Sequence, residues 1–237
     1  MNKTYWKDFW SKQITGLHRS QDEVFLEAES KEKLLHLGSG EKLLDFGCGS
    51  ADLLVYYLPF YKLCVGADRS NLMLEKAREK LDSFNNQHET VLLNSDNYQI
   101  WDEIEKKMGK NFKFNCITTG QVMQYLDKKQ ITDFIYNSTL HLENKGKICL
   151  FDIVDSRTSE LWEVGLFNQK SFNFSVFMRL IIGRLKAILN NLKGKPAHAN
   201  GYSYPPSFFY AIAEKYNLKV TYINSMYYEY RYHIIYY

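Results

Sequence analysis

The chain has 237 residues, 45% of them hydrophobic, and a formal net charge of +3. That apolar content suffices for one sizeable core, and the charge excess is too small to argue for nucleic acid. No apolar run reaches the roughly 18 residues that a membrane span needs. The opening MNKTYWKDFW lacks a signal peptide's apolar segment. Cys48, Cys64, Cys116 and Cys149 fall in or beside expected buried strands and form no C-x-x-C pair. Reduced core thiols in a cytoplasmic protein are expected, with no metal site.

Met1 to Leu37 has the spacing of helices: Tyr5 and Phe9 with Trp6 and Trp10, then Val24, Phe25, Ala28, Leu34 and Leu35. The Gly16 region parts two segments, with Ser20 placed as N-cap and Glu23 three residues on. Lys42 to Phe46 is a short apolar run, long enough for a buried strand and too short for a helix. Gly47, Cys48 and Gly49 follow at once, and helical spacing resumes after Asp52. Such a turn leaves backbone N–H groups without partners and lets a ligand lie against the chain.

Two ligand classes use a turn of this kind. A dinucleotide needs G-x-G-x-x-G, with its pyrophosphate at the helix start. Here the last glycine position is Asp52, a carboxylate where a diphosphate would approach. Asp45, Gly47, Gly49 and Ala51 read D-x-G-x-G-x-A instead, which resembles the first motif of the class I S-adenosylmethionine-dependent methyltransferases. The third glycine of that family's fullest pattern is Ala51 here. The resemblance implies S-adenosylmethionine as cofactor, held at Asp45, Gly47, Cys48 and Gly49, with acids suiting its sulfonium and ammonium. It implies an α/β, Rossmann-like, doubly wound sheet of seven strands, mostly parallel with an antiparallel last strand. It also implies N-terminal helices over the cofactor cleft. Tyr5, Trp6 and His18 are therefore candidates for cofactor or substrate contact, though these side chains could equally pack the helices down.

Lys62 to Ala67 reads as the second strand, ending at Asp68 and Arg69. Asp68 lies 19 residues after Gly49, near the roughly 20-residue interval at which an acid reaches a ribose. The resemblance gives Asp68 both ribose hydroxyls; the plainer role is capping the helix from Ser70. Thr90 to Leu93 is the third strand, followed by Ser95 and Asp96. The resemblance assigns Asp96 the adenine amino group, with Tyr98, Ile100 or Trp101 on the ring. Capping the next helix competes for the same side chain.

Phe112 to Thr118 is the fourth strand, and Gly120 and Gln121 beyond it border the reacting methyl group on this reading. QVMQYLD also resembles the family, with Asp127 starting the next helix. Gly146 to Val154 forms strand five, with Asp152 and Asp155 at its end. A D/N-P-P-Y/F motif is missing after strand four, which counts against methylation of DNA bases or protein glutamine. The chain is expected to be a single domain, 1–237, with an N-terminal helical cap over 1–40 and a helical insertion over 156–200. That insertion carries seven Lys and Arg against Glu160 and Glu163, beside a broad apolar face from Phe172 to Leu189. It reads as a lid over an anionic acceptor, with Arg179 or Arg184 on a phosphate, or as a basic helix on a membrane or partner.

His198, Tyr202 and Tyr204 lead into Pro205-Pro206 and the helix Ser207 to Tyr216, then strands at Leu218 to Asn224 and Tyr230 to Tyr236. The resemblance covers Leu43 to Val154 closely and Pro205 to Tyr237 loosely. It implies methyl transfer to a small polar acceptor, which Arg179, Arg184, Tyr202 and His18 would bind. A phosphorylated or nucleotide-linked sugar, or another glycan precursor, suits the charge. His198, His233, His18 and Asp155 are candidate general bases, none singled out by a motif. A membrane-surface lipid or quinone methyltransferase and a non-catalytic S-adenosylmethionine-binding module are the alternatives. The sequence leaves the oligomeric state open.

Overall fold

A computed structural model describes residues 22–84, 88–163, 174–192 and 201–237. Its centre is a seven-stranded sheet ordered β3-β2-β1-β4-β5-β7-β6. The strands are β1 Gly40–Phe46, β2 Tyr61–Asp68, β3 Glu89–Asn94, β4 Phe114–Gly120, β5 Leu142–Val154, β6 Val220–Asn224 and β7 Arg231–Tyr236. β7 runs antiparallel to both β5 and β6, while the pairs among β1 to β5 are parallel. This is the architecture read from the sequence, and strand order reverses between β1 and β4, where open sheets bind ligands.

The first five strands are apolar on both sides because helices cover both faces. Leu44, Val65, Ile117, Ile148 and Tyr232 face one core; Leu43, Cys64, Cys116, Cys149 and Ile235 face the other. All four cysteines are free and buried. The helices are α1 Glu23–Leu37, α2 Leu54–Tyr57, α3 Asn71–Ser83, α4 Ile100–Met108, α5 Lys128–Leu140, α6 Ser159–Glu163, α7 Phe174–Leu192 and α8 Pro206–Lys215.

Three local expectations change. The helix after Asp52 is only the four residues of α2, passing into a 3-10 turn at Leu58–Phe60. Pro59 lacks the N–H and ring clearance to continue it. Helix α1 is capped by Asp22, whose Oδ1 accepts from Phe25 N at 2.9 Å, while Ser20 lies outside the described residues. Its buried face is also not the apolar one. Val24 and Leu35 are each 77% exposed, whereas Glu29 and Lys33 are fully buried. An ion cluster, described below, replaces the apolar stripe.

Candidate functional site

The turn after β1 is built by backbone. Gly47, Gly49 and Ala51 all take positive φ, at 80°, 55° and 61°. Gly47 N and Cys48 N both donate to Ala67 O, which ties the turn to the end of β2. A Cβ on Gly47 would stand 2.2 Å from Val122 Cγ2, so the segment after β4 packs directly on this glycine. A Cβ on Gly49 would meet nothing within 4 Å, because that face opens into a cleft. The cleft is walled by the turn, by Asp68 and Arg69, by Ser95 and Asp96, and by Gly120, Gln121 and Tyr125.

Asp68 sits where β2 ends. Its Oδ2 accepts from Gly49 N at 3.0 Å and its Oδ1 from Ser70 N at 2.8 Å. Burial pushes its carboxyl up, against the pull of those N–H groups and of Arg69. The helix cap of α3 is Ser70 itself, accepting from Met73 N. Asp68 is therefore left to hold the turn and face the cleft. Asp96 accepts from Tyr98 N and Gln99 N through Oδ1 alone. Capping and a ligand contact need not compete, since each can use one oxygen. Ser95 is buried between the two acids, its N–H donating to Asp68 O.

The residues expected on the adenine ring fare differently. Ile100 and Trp101 are core residues, with Trp101 stacked on His141 at 4.5 Å. They cannot face a ligand, because α4 turns them toward the sheet. Tyr98 is exposed, its hydroxyl accepting from Gln130 Nε2 at 3.0 Å. Asp127 caps α5 in a reciprocal box with Gln130. Asp45 is buried beside the cleft and lines a smaller recess with Gly47, Thr118 and Gly120. Asp52 reaches the cleft wall too, but ion-pairs with Lys80 and accepts from Ser50 Oγ at 3.0 Å. Gln121 has φ 59° and a buried amide nitrogen, Nε2, without a partner among the described residues.

The base candidates are corrected. His233 is fully buried, and its Nδ1 lies 3.0 Å from Asp152 N. A backbone N–H can only donate, so Nδ1 is the acceptor and the proton sits on Nε2, facing Glu32 Oε1 at 3.1 Å. Both nitrogens are thus engaged and neither can take a proton from an acceptor. Asp155 is clasped by Arg157, whose Nε and Nη2 reach it at 3.0 and 2.7 Å. Its carboxylate is neutralised locally and serves the β5 end as structure. Arg184 pairs with Glu160 at 3.1 Å on exposed helix α7, and among the described residues Arg179 bonds its own helix at Ser175 O. Neither borders the cleft. Tyr202 donates its backbone N–H to Gln124 O at 2.8 Å, next to cleft residue Tyr125. Tyr5, Trp6, His18, Phe172 and His198 lie outside the described residues.

Two groups have no counterpart in the sequence reading. Lys33 Nζ meets Glu29 Oε1 at 2.8 Å and Asp152 Oδ2 at 3.0 Å, all three fully buried. Glu32 joins them through His233 and accepts from Met226 N at 2.6 Å. Burial would raise Glu32, but those two hydrogen bonds and Lys33 hold it below the usual carboxylate range. The second group is Arg231 with Gln124, at the junction of β7 and the turn after β4. Neither group has a motif; the only local signal was polar residues on the buried face of α1.

Residues 44–148 match the family model described as a methyltransferase domain. No curated protein matches by sequence. Among solved structures, magnesium protoporphyrin IX methyltransferase (ChlM) from Synechocystis PCC 6803 with bound SAM superposes at a TM-score of 0.62. It is 11% identical, over 99% of this chain and 95% of that one. The cyclopropane synthase MmaA2 from Mycobacterium tuberculosis gives 0.59 at 17% identity, over 86% and 65%. An O-methyltransferase family protein from Burkholderia thailandensis gives 0.58 at 10%, over 90% and 57%. The sheet order and the glycine turn are those of the class I, Rossmann-like methyltransferase fold, within which residues 44–148 carry the domain match. Residues 44–148 match a methyltransferase domain, and S-adenosylmethionine is the cofactor bound in the ChlM structure. The site fits that cofactor: Gly49 leaves room at the turn, and carboxylates rather than cations dominate the cleft wall.

Proposed function

We propose that this chain moves the methyl group of S-adenosylmethionine to a small anionic acceptor bound beyond the carboxyl ends of β4 and β5. The observation that carries the cofactor half is the pairing of Asp68 with the Gly49 amide across the turn. It leaves a carboxylate at the cleft wall, positioned to accept both ribose hydroxyls. Asp96 Oδ2 takes the adenine amino group, and Asp45, the glycine turn, Cys48, Arg69, Ser95, Gly120 and Gln121 complete the cofactor contacts. In-line transfer needs positioning and exclusion of water more than acid–base chemistry, so a site with no free histidine among the described residues is adequate. The seven-to-two excess of cations over 156–200 supports an anionic acceptor, such as a phosphorylated or nucleotide-linked sugar.

Calorimetry with S-adenosylhomocysteine and NAD tests this reading. S-adenosylhomocysteine should bind and NAD should not. Asp68→Ala should weaken binding by about 1.5–3 kcal/mol, the range for hydrogen bonds to a charged group. Because burial raises the Asp68 carboxyl, wild-type affinity should begin to fall above the ordinary carboxylate range as pH drops, since a protonated oxygen no longer accepts. Tight NAD binding, or unchanged affinity in folded Asp68→Ala, refutes the assignment.

A second reading is favoured by α7. Phe174, Met178, Ile181, Ile182, Leu185, Ile188 and Leu189 are between 37% and 76% exposed. At 3.6 residues per turn they fall within an arc of about 120°. Arg179 and Lys186 border one edge and Arg184 the other, and the helix contains no acid. An anionic bilayer suits both features, whereas a second copy would set cations against cations. On this reading the acceptor is a lipid or quinone, and among the described residues no helix is long and apolar enough to cross the membrane. Flotation with phosphatidylglycerol vesicles should recover the protein, and Ile182→Glu with Leu185→Glu should abolish it. Equal flotation with neutral vesicles, or none with either, removes this reading.

A further inference from the structure

We propose that Arg231 is the anchor for an oxyanion, a carboxylate or phosphate, carried by the methyl acceptor; this rests on the methyltransferase reading above. Arg231 opens β7 and is only 2% exposed. A guanidinium stays charged at any physiological pH, so its burial calls for compensation. The other deeply buried cation has it, because Lys33 touches two carboxylates. Arg231 has none among the described residues. Its Nη1 donates to Gln124 Oε1 and to Asp152 O, both at 2.8 Å. Among the described residues, its Nε and Nη2 have no hydrogen-bond partner.

Those two nitrogens form one edge of the guanidinium. Their N–H bonds run parallel and fit the two oxygens of a carboxylate or phosphate. The molecule shows the same edge in use elsewhere, where Arg157 presents Nε and Nη2 to Asp155. At Arg231 the plane is already fixed by its Nη1 contacts, and the rings of Tyr228 and Tyr230 lie 5.5 and 5.0 Å from Cζ. Tyr230 is itself stacked on Trp162 at 4.1 Å. The fork is therefore preorganised, and an anion binding there loses little entropy in ordering it.

Its place also suits an acceptor. Arg231 pairs in register with Val154, the last residue of β5, at the carboxyl edge of the sheet. Gln124, which holds Nη1, donates Nε2 to Tyr125 OH at 2.7 Å, and Tyr125 lines the cofactor cleft. Two hydrogen bonds, through Nη1, thus link the Arg231 guanidinium to the cleft wall. Arg231 would orient the acceptor by its charged group and leave another atom to meet the methyl.

The test uses the full chain saturated with S-adenosylhomocysteine and follows arginine Nε–H signals by nitrogen-edited NMR. Sodium benzoate and potassium phosphate are titrated separately at constant ionic strength, and Arg231→Lys identifies the signal. One or both anions should shift the Arg231 signal saturably, with a dissociation constant on the order of millimolar, while the already paired Arg157 stays still. Benzoate alone indicates a carboxylate acceptor, phosphate alone a phosphorylated one. Arg231→Lys keeps the charge without the fork and should bind the same anion at least tenfold more weakly. If that variant does not fold, the wild-type titration decides by itself. A signal unmoved by both anions, or moving linearly without saturation, overturns the proposal while S-adenosylhomocysteine binding stands. Failure of S-adenosylhomocysteine to bind would instead overturn the reading beneath it.

Discussion

The cofactor cleft and the ion cluster under α1 handle charge in opposite ways. At the cleft, contacts are short in sequence: Gly49 N reaches Asp68 across 19 residues, and the turn hangs on neighbouring strands. Under α1 they join the ends of the chain, with His233 and Glu32 separated by 201 residues and Met226 and Glu32 by 194. The cleft leaves carboxylate surface facing a ligand. The cluster satisfies its charges internally, Lys33 against Glu29 and Asp152, while Glu32 accepts hydrogen bonds from His233 Nε2 and Met226 N. A ligand site tolerates unmet polar groups that a packing interface cannot. The first region is thus built to bind, and the second to fasten α1 across β5 and β7.

The largest effect should come from breaking the cluster. Lys33→Met removes the cation and leaves Glu29 and Asp152 buried together, which typically costs about 3–5 kcal/mol. Urea denaturation should show that loss. Calorimetry on the folded fraction should find S-adenosylhomocysteine affinity within about twofold of wild type, because no residue of the cluster lines the cleft. A loss below about 1 kcal/mol would mean that the ions do not fasten the helix. The pH dependence has a defined sign. Glu32 is held below its ordinary value, so its contribution is present above the unfolded carboxylate pKa and lost as pH falls through the lower folded one.

The same contrast explains what the sequence made legible. Strands β1 to β5 could be placed because each is a short apolar run ending at a glycine, an acid or a turn. Gly47, Gly49, Asp68 and Asp96 were readable because backbone geometry ties them to the strand ends. Helix α1 was misread on its face, since Val24 and Leu35 obey an apolar period that the tertiary structure overrides with Glu29 and Lys33. Ile100 and Trp101 were misplaced because a loop's position does not say which way the following helix turns. His233 resembled a free base until Asp152 N and Glu32, neither close in sequence, took both nitrogens. Arg231 carried no signal, because its meaning depends on which partners it lacks. The short α2 could have been foreseen from Pro59.

The smallest expected effect lies within the turn and tests whether backbone alone defines it. Ala51 holds φ 61° and is fully buried, at the position where the family's fullest pattern has glycine. Left-handed backbone costs an L-residue about 1–2 kcal/mol, which Ala51→Gly would relieve. Against that stand an unfolded-state entropy cost of about 0.4–1 kcal/mol and the loss of one buried methyl group, about 0.8 kcal/mol. The terms nearly cancel, so stability should change by less than about 1 kcal/mol in either direction. S-adenosylhomocysteine affinity should stay put, because Ala51 N still donates to Cys48 O and the turn keeps its path. Urea denaturation paired with calorimetry checks both halves. A loss above about 2 kcal/mol would make the Ala51 methyl a packing element, and the turn would then depend on side chains much as the α1 cluster does.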